Sequence, residues 1–597
     1  MTIPWRVNYC IKRWQTTTNM NSDKSSKRFD LFPMQRTCSS ALTTIPCSAM
    51  RIVFKCSSAV RAVFHSDENL SGCTDLRSHH SCGIWHILLT WLDIFHAWGA
   101  NMIAKISGFR NAFVISLISW ATLGHAATDL TRLTALLATT PDGGWVKANT
   151  TSFSSAWPNG LDAVPASSYS NPATVIAAWS SFAWDSMRGD LIIFGGGHAN
   201  YSGNEVYTWD GATGAWGRGS LPSRMETLLD ASTGLPGATL AVDRAAPQSA
   251  HTYDNNLYLP INDRFLTFGG AAFNTGGRFA TAPVGSTTTT NLMGAGPWVW
   301  DPAKADPLKV GGTTGSGYDS SREGGNMWAD RQASIVATEF PRPLMGTTAY
   351  RSENGKDVVY LTSDQASSGF AKLFRYTFGD VNDPNSVDIV EVVGTMSNSV
   401  VFHGAGTIDT ANNLYIRTAI NSPPGGYFGE LAVWDLNNLD PLHPARDIAI
   451  DLVMADGTPF AMTEAYGLDY YENGKKLLLW DGEGEVWYVD VPDRDALGNL
   501  SSTVWLVHRM DSATSAHPTE SFPTGVLGKW HYVDDLGAFV ALEENTKSWG
   551  NTDGTVWLYR PDGWQARISV PEPDIRLLFI LGFGLAMTAT RRKYKSA

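Results

Sequence analysis

Side chains able to transfer protons or bind polar ligands recur in short segments rich in glycine and aromatic residues. His198 follows three glycines in GGGHANYSGN, a segment that also contains Tyr201 and Asn204. His251 lies in SAHTYD and His403 in VFHGAG. Imidazoles gathered at one site could transfer protons, bind a metal ion or hold sugar hydroxyls. The alternative is a structural role, in which each imidazole hydrogen-bonds a neighbouring strand.

Further candidates occupy similar segments. Glu464 lies in MTEAYG, and Trp530 and His531 lie together in GKWHYV. Arg264 in PINDRF and Arg331 in WADRQA would join them if their loops fold inward. We predict that these side chains line one ligand-binding mouth. The sequence specifies no metal site and no identifiable cofactor.

The elements that must position these residues form an internal repeat. Six segments share a short apolar strand, a polar turn, a second apolar strand, another turn and a third strand rich in aromatics. The predicted second strands begin near Leu191, Phe265, Val358, Leu414, Leu477 and Ala538. The predicted third strands begin near Glu205, Pro297, Leu373, Leu431, Val486 and Val556. Fourth-strand tryptophans are expected at Trp216, Trp505 and Trp564.

Such recurrent short strands predict an all-β fold, a β-propeller of six or seven four-stranded blades spanning 143–566. An early strand around Trp145 could close the ring, and the interval from Asp301 to Leu344 could contain a seventh blade. A β-sandwich is the alternative, although six copies exceed its needs. In a propeller, the loops between second and third strands and those entering first strands open on one face, so the candidate residues become neighbours.

The segment WSSFAWDSMRGDLIIFGGGHANYSGNEVYTWDGATGAW, from Trp179 to Trp216, resembles kelch propellers and the propeller of galactose-oxidase-like proteins. The resemblance implies a propeller scaffold. It does not extend to copper-radical oxidation, which requires a cysteine cross-linked to a tyrosine, because all six cysteines precede Met102.

Three functions are compatible with this scaffold. The first is binding of exopolysaccharide or another surface ligand, since sugar rings stack on aromatic faces. The second is β-elimination of a uronate polymer, for which the region loosely resembles propeller lyases of the ulvan-lyase type. In that hypothesis His198 and His251 are acid and base, Tyr258 or Tyr253 assists, and Arg264 neutralises the carboxylate. The third is a purely structural matrix component.

Charge narrows the range of partners. The formal net charge is −12; residues 1–101 have more Lys and Arg than Asp and Glu, so the remainder of the chain is clearly acidic. An acidic body without a stripe of Lys and Arg repels phosphate backbones. Nucleic acid is therefore not an expected partner.

Residues 102–126 have the layout of a secretory signal peptide, with Lys105 and Arg110 before an apolar stretch and small residues at the end. Signal peptidase is thus an expected processing partner. Because a signal peptide acts at the N-terminus, we expect translation to start at Met102 and residues 1–101 to be a mis-called or disordered upstream segment.

The end of the chain, 570–597, combines Pro571, Glu572 and Pro573 with an apolar segment and then Arg591 and Arg592. A short apolar segment stopped by positive charge is typical of a membrane anchor oriented with the charge inside. The arrangement resembles the PEP-CTERM sorting signal of Gram-negative bacteria. The resemblance implies an exosortase as partner, at least transient membrane anchoring through a hydrophobic helix, and delivery to the cell envelope, outer surface or extracellular matrix.

Overall fold

The three-dimensional structure is a computed structural model. It describes residues 128–159, 172–198, 200–223, 225–229, 236–241, 245–273, 296–313, 320–337, 345–362, 372–396, 403–421, 428–463, 466–519, 524–543 and 553–566. The predicted segments 1–101, 102–126 and 570–597, with the signal helix and the hydrophobic helix, lie outside the described residues.

Strands dominate the described chain. In chain order they are β1 Gly144–Lys147, β2 Phe182–Asp185, β3 Asp190–Ile193, β4 Tyr207–Asp210, β5 Ala215–Arg218, β6 Met225–Leu229, β7 Pro236–Ala241, β8 Ala250–His251, β9 Asn256–Leu259, β10 Arg264–Thr267, β11 Ala271–Ala272, β12 Trp298–Trp300, β13 Trp328–Asp330, β14 Ile335–Ala337, β15 Thr347–Glu353, β16 Lys356–Thr362, β17 Lys372–Thr377, β18 Asp388–Thr395, β19 Gly406–Asp409, β20 Leu414–Asn421, β21 Phe428–Asp435, β22 Ala445–Arg446, β23 Ile448–Met454, β24 Gly467–Tyr471, β25 Lys476–Trp480, β26 Val486–Asp490, β27 Val504–Met510, β28 Trp530–Val533, β29 Ala538–Glu543 and β30 Thr555–Arg560. The α-helices are α1 Thr131–Thr139 and α2 Thr174–Ala177, and short 3₁₀ turns occur at Phe153–Ala156, Pro302–Lys304, Ser320–Arg322, Gln332–Ser334, Leu436–Asn438 and Asp534–Leu536.

Hydrogen bonding groups the described strands into six antiparallel four-stranded meanders, which we call blades 1 to 6. Their strand orders are β2-β3-β4-β5, β9-β10-β12-β13, β15-β16-β17-β18, β19-β20-β21-β23, β24-β25-β26-β27 and β28-β29-β30-β1. Blades 4 and 5 form one eight-stranded sheet, because their outer strands β23 and β27 pair in parallel. The remaining short strands form the hairpins β6-β7 and β8-β11 or extend the edge of blade 3.

Among the described residues, six clusters of buried side chains lie between consecutive blades. Blades 1 and 2 share Ile192 and Phe265 in one cluster, for example, and blades 5 and 6 share Trp480 and Phe539 in another. Each blade contributes to two clusters, and the last cluster joins blade 6 to blade 1. Packing of each blade against two neighbours, with the last against the first, describes a closed propeller-like ring. The predicted all-β propeller fold is confirmed.

The ring is closed by the N-terminal strand. Strand β1 pairs with β30 in the register Trp145↔Tyr559, so the first strand that the structure describes is the fourth strand of the last blade. Trp145 is 2% exposed and its ring lies 4.9 Å from that of Tyr559 and 5.7 Å from that of Trp530. Burial of several large aromatic rings stabilises this closure.

The predicted second and third strands coincide with the second and third strands of the six blades. Trp216 and Trp505 lie in the fourth strands β5 and β27, as expected. The expectation for Trp564 was wrong. Its Nε1 donates to the Leu536 carbonyl from the turn after β30, because β1 supplies the fourth strand of blade 6.

The interval from Asp301 to Leu344 adds no further blade among its described residues. Strand β13 is the fourth strand of blade 2, and β14 pairs in parallel with β18 at the edge of blade 3. Strand β13 therefore completes blade 2 and β14 extends the edge of blade 3, and the repeat had already predicted both blades.

Candidate functional site

The first strands of the six blades surround a central channel. Adjacent first strands are joined directly, as where the Phe182 amide donates to the Gly528 carbonyl at 3.1 Å. The Asp254 carboxylate links three blades, since its Oδ2 accepts from the amides of Thr348 and Gly406, each at 2.9 Å. The channel has a mouth, where the chain enters each first strand, and an opposite end, where the turns between first and second strands lie.

The mouth carries an equivalent residue from several blades. Trp179, Tyr253, His403 and Leu527 each stand three residues before a first strand. All four have left-handed backbone, with φ of 44°, 50°, 62° and 54°. This conformation costs a residue with a Cβ about 1–2 kcal/mol. Four strained residues of this size at one end of a channel indicate a site whose side-chain directions matter.

His198 reaches the same place from the loop between β3 and β4. It is exposed, and its φ of 48° is also left-handed. The glycines before it allow the close approach of blade 2, because a Cβ on Gly197 would lie 2.3 Å from the Ala250 Cα. The loop therefore delivers His198 directly over the entry to blade 2.

Five rings form what we call the mouth cluster: Trp179, His198, His251, Tyr253 and His403. Ring centroids lie 5.3 Å apart for His198 and His251, and 4.7 Å apart for Trp179 and His251. Tyr253 and His403 stack at 5.3 Å with an interplanar angle of 15°. Three blades thus bring predicted site residues into one aromatic and imidazole surface.

His251 lies at the centre of this surface and is uncharged at neutral pH. It is 2% exposed, and burial lowers its pKa to about 3, helped by the nearby imidazoles of His198 and His403. In the amide orientation that satisfies its neighbours, Asn200 donates to His251 Nε2 at 2.9 Å and to the His198 carbonyl at 3.0 Å. A neutral imidazole of this kind is a hydrogen-bonding group, and a weak proton acceptor.

Tyr258 and Arg264 do not join the histidine pair, which corrects the predicted four-residue arrangement. Both lie towards the opposite end of the channel from His251, where β9 turns into β10. The Tyr258 hydroxyl donates to Asp263 Oδ1 at 2.5 Å, and the Arg264 guanidinium pairs with Asp301 at 3.2 Å. These side chains stabilise a polar turn. They lie far from the mouth, because the turns between first and second strands are at the opposite end of the channel.

Arg331 does not approach the mouth either. It is 4% exposed and forms two hydrogen bonds with the buried Asp388, at 3.1 and 2.7 Å. The same carboxylate accepts from the Tyr376 hydroxyl at 2.9 Å. Arg331 therefore ties the end of β13 to blade 3, and the expectation of an inward loop was wrong.

Tyr201 and Asn204 are buried beneath the loop that carries His198. The Tyr201 hydroxyl donates to Glu205, whose pKa is raised by burial. The Asn204 side chain donates to the Pro247 carbonyl at 2.7 Å and accepts from the Ser223 amide at 2.7 Å. Both residues shape the loop and do not present polar atoms at the mouth.

Trp530 and His531 lie in the wall of the channel. Trp530 is fully buried between blades 5 and 6, and its Nε1 donates to the Leu478 carbonyl at 3.2 Å. His531 Nδ1 lies 3.5 Å from Asp469 Oδ2, deeper in the channel than the mouth cluster. Glu464, and the sorting-signal residues Pro571, Glu572, Pro573, Arg591 and Arg592, lie outside the described residues.

Sequence reasoning did not select Trp179, Leu527 or Asn200. A signal for the first two was present, since each stands three residues before a predicted first strand, as Tyr253 and His403 do. Counting back the same distance from every first strand would have found them.

Within the described ranges, no three His, Cys, Asp or Glu side chains are arranged to hold a metal ion. No helix in that same part of the chain is long and apolar enough to cross a membrane.

No protein-family model and no curated protein matches the chain. Solved structures of propeller type do match. The GH93 α-L-arabinofuranosidase of Fusarium graminearum, in complex with arabinobiose, is 12% identical with a TM-score of 0.34, over 67% of this chain and 97% of that chain. The Penicillium chrysogenum α-L-arabinanase with arabinobiose is 12% identical with a TM-score of 0.30, over 65% and 95%. The Dos1 propeller is 7% identical with a TM-score of 0.28, over 70% and 95%. Similarity at this level carries no argument about ligand or activity.

Proposed function

We propose that this chain is a carbohydrate-binding propeller whose ligand docks on the mouth cluster. The observation that carries the proposal is the set of large aromatic and imidazole side chains held in left-handed backbone at the channel mouth, among them Trp179, Tyr253 and His403. A purely structural ring would have no need to hold such residues in a strained conformation at one end only.

The chemistry of the cluster suits a sugar. Pyranose rings present C–H faces that pack on aromatic rings, and the half-buried Trp179 supplies such a ring. The exposed imidazole of His198 supplies a hydrogen-bond donor and an acceptor for hydroxyl groups. A few polar groups among aromatic walls are the usual composition of a small-ligand site.

Glycan-array binding with the full-length chain tests this proposal, followed by titration with the best glycan. We expect Trp179→Ala to weaken binding by about 2 kcal/mol, roughly 30-fold, as for a central aromatic anchor. His198→Ala should weaken it less, because His198 is exposed. Trp564→Ala, which removes a tryptophan stacked on Arg560 away from the mouth, and His443→Ala, at a histidine whose side chain is 83% exposed, are the matched controls. Equal binding by Trp179→Ala and the wild type would overturn the proposal.

The geometry does not favour the β-elimination alternative. Its arginine, Arg264, is bound in a turn at the other end of the channel. Arg417 donates to the His403 carbonyl at 2.6 Å, but it is buried and its other nitrogens donate to Thr362 and Thr418. Release of an unsaturated product from a uronate polymer, lost in His251→Gln, would nevertheless establish turnover and replace simple binding as the function.

We also propose that the propeller acts outside the cytoplasm, anchored in the envelope of a Gram-negative bacterium. The support is the sequence of 102–126 and of 570–597, with exosortase and signal peptidase as processing partners and exopolysaccharide as the ligand source. Cell fractionation with mass measurement of the mature chain tests this. Recovery of the uncleaved chain in the cytoplasm would refute it.

A further inference from the structure

A cavity lies in the channel at the end opposite to the mouth cluster. It has a volume of about 330 Å³, and residues of five first strands line it, from β9, β15, β19, β24 and β28. We call it the channel cavity. Its volume is within the lower range of small-molecule sites. On the side towards the mouth, Gly528 packs closely against two neighbouring blades, since a Cβ on it would lie 2.5 Å from both Asp254 Oδ1 and Ser181 Cβ.

Three carboxylates face this cavity. Asp469 is inside, where its Oδ1 accepts from the Thr407 hydroxyl at 2.5 Å and its Oδ2 from the Tyr532 amide at 2.8 Å. Glu472 and Asp534 lie on exposed turns at the rim. Three tyrosines complete the walls, namely Tyr350, Tyr470 and Tyr532.

Acidic groups outnumber basic ones in the cavity lining, with three carboxylates against one imidazole. His531 is the basic residue in its lining, and burial alone would lower the pKa of that imidazole. Its pKa is instead raised, because the Asp469 carboxylate at 3.5 Å and Asp254 together outweigh burial. A site that raises the pKa of a buried histidine also favours other cations.

We propose that the channel cavity binds a small organic cation carrying primary ammonium groups. Carboxylates accept hydrogen bonds from an ammonium group, and the faces of tyrosine rings attract it. The volume of about 330 Å³ limits the partner to a small molecule, and the turns after β19, β24 and β28 form the rim through which it would enter. A linear diamine can place one ammonium at Asp469 and the other between Glu472 and Asp534.

Calorimetric titration of the full-length chain with 1,4-diaminobutane and with 1,4-butanediol tests the proposal, because these probes differ chiefly in charge. We expect the diamine to bind, the diol not to bind, and added salt to weaken the diamine. Equal binding of both probes, or of neither, would overturn the proposal. Tighter binding of Ca²⁺ with displacement of the diamine would assign the cavity to a metal ion and overturn it too.

Two substitutions at the exposed rim, Glu472→Gln and Asp534→Asn, test the location without disturbing the buried Asp469. Each substitution should lower the affinity for the diamine by up to about fivefold, and the two together by about tenfold. Asp493→Asn, at an exposed carboxylate outside the cavity, is the matched control. Unchanged affinity in the double variant, with its melting temperature at the wild-type value, would refute the site. Trp179→Ala should leave diamine affinity unchanged, so failure of the mouth proposal is distinguishable from failure of this one.

Discussion

Replacing His251 with glutamine should make the protein less sensitive to acid. His251 has an ordinary pKa of 6.5 in the unfolded chain and a pKa of about 3 in the fold. Below pH 6.5, His251 therefore binds a proton in the unfolded state but stays unprotonated in the folded state until the pH approaches about 3. The stability linked to this group is complete above pH 6.5 and is lost as the pH falls from there towards about 3.

The size of the effect follows from the shift. Each pH unit below 6.5 costs about 1.4 kcal/mol, so the loss from His251 at about pH 4.5 is roughly 2.7 kcal/mol. Glutamine at this position can still accept from Asn200 but cannot take up a proton. Between about pH 7 and 4.5, the wild type should therefore lose roughly 2.7 kcal/mol more unfolding free energy than His251→Gln.

Urea unfolding followed by tryptophan fluorescence at both pH values measures this difference. Burial raises the pKa of Asp254 to about 7, which changes stability with pH in the opposite direction, but that contribution is common to both proteins and cancels. His443→Gln, at an exposed histidine, should follow the wild type. A parallel decline of His251→Gln and wild type would refute the assignment of a buried, neutral imidazole to the mouth.

Three further predictions concern the scaffold. Trp145→Ala should destabilise the ring closure by about 3–5 kcal/mol, because it removes a buried indole from a cluster of aromatic rings, and calorimetric melting would show the loss. Asp388→Asn should cost about 3–5 kcal/mol by leaving Arg331 buried without its ionic partner, and Arg331→Met with Asp388→Leu should recover only part of that, because Tyr376 also loses its acceptor; urea midpoints would measure both. Gly528→Ala should cost about 1–3 kcal/mol because its Cβ would overlap Asp254 and Ser181, and a wild-type melting temperature would contradict this.

The blades were predictable because their strands obey local rules. LIIFGGG and LLLWDG are short apolar runs next to turn residues, and burial on both faces between neighbouring blades selects such runs. The role of Trp145 could also be predicted from the sequence. An early strand outside the repeat can supply the fourth strand that the last blade lacks. The edge strand β14 was not, because it pairs in parallel with a strand more than fifty residues later and nothing local marks that partner.

The candidate site was only partly predictable. Placing His198, His251 and His403 at one mouth required only that the ring closes. Arg264 was misplaced for a reason that the repeat itself contained, since it stands at the start of a second strand and therefore at the opposite end. The buried partner of Arg331 was beyond prediction, because the pair joins blades 2 and 3 through side chains alone.

The two ends of the channel differ in the residue types that occupy left-handed backbone. At one end the fold alone explains the residue types, and at the mouth it does not. At the turns between first and second strands these positions hold Gly189, Asp263, Asn413, Lys475 and Gly537 among others, mostly residue types that tolerate the conformation.

At the mouth, equivalent positions of different blades hold tryptophan, tyrosine, histidine and leucine, for which the conformation is unfavourable. Their own sequence cannot fix it. Contacts across the ring do so, as where the Tyr253 amide donates to the Trp179 carbonyl at 2.7 Å. The ring therefore holds these side chains in an unfavourable backbone conformation, which the proposed ligand site at the mouth would explain.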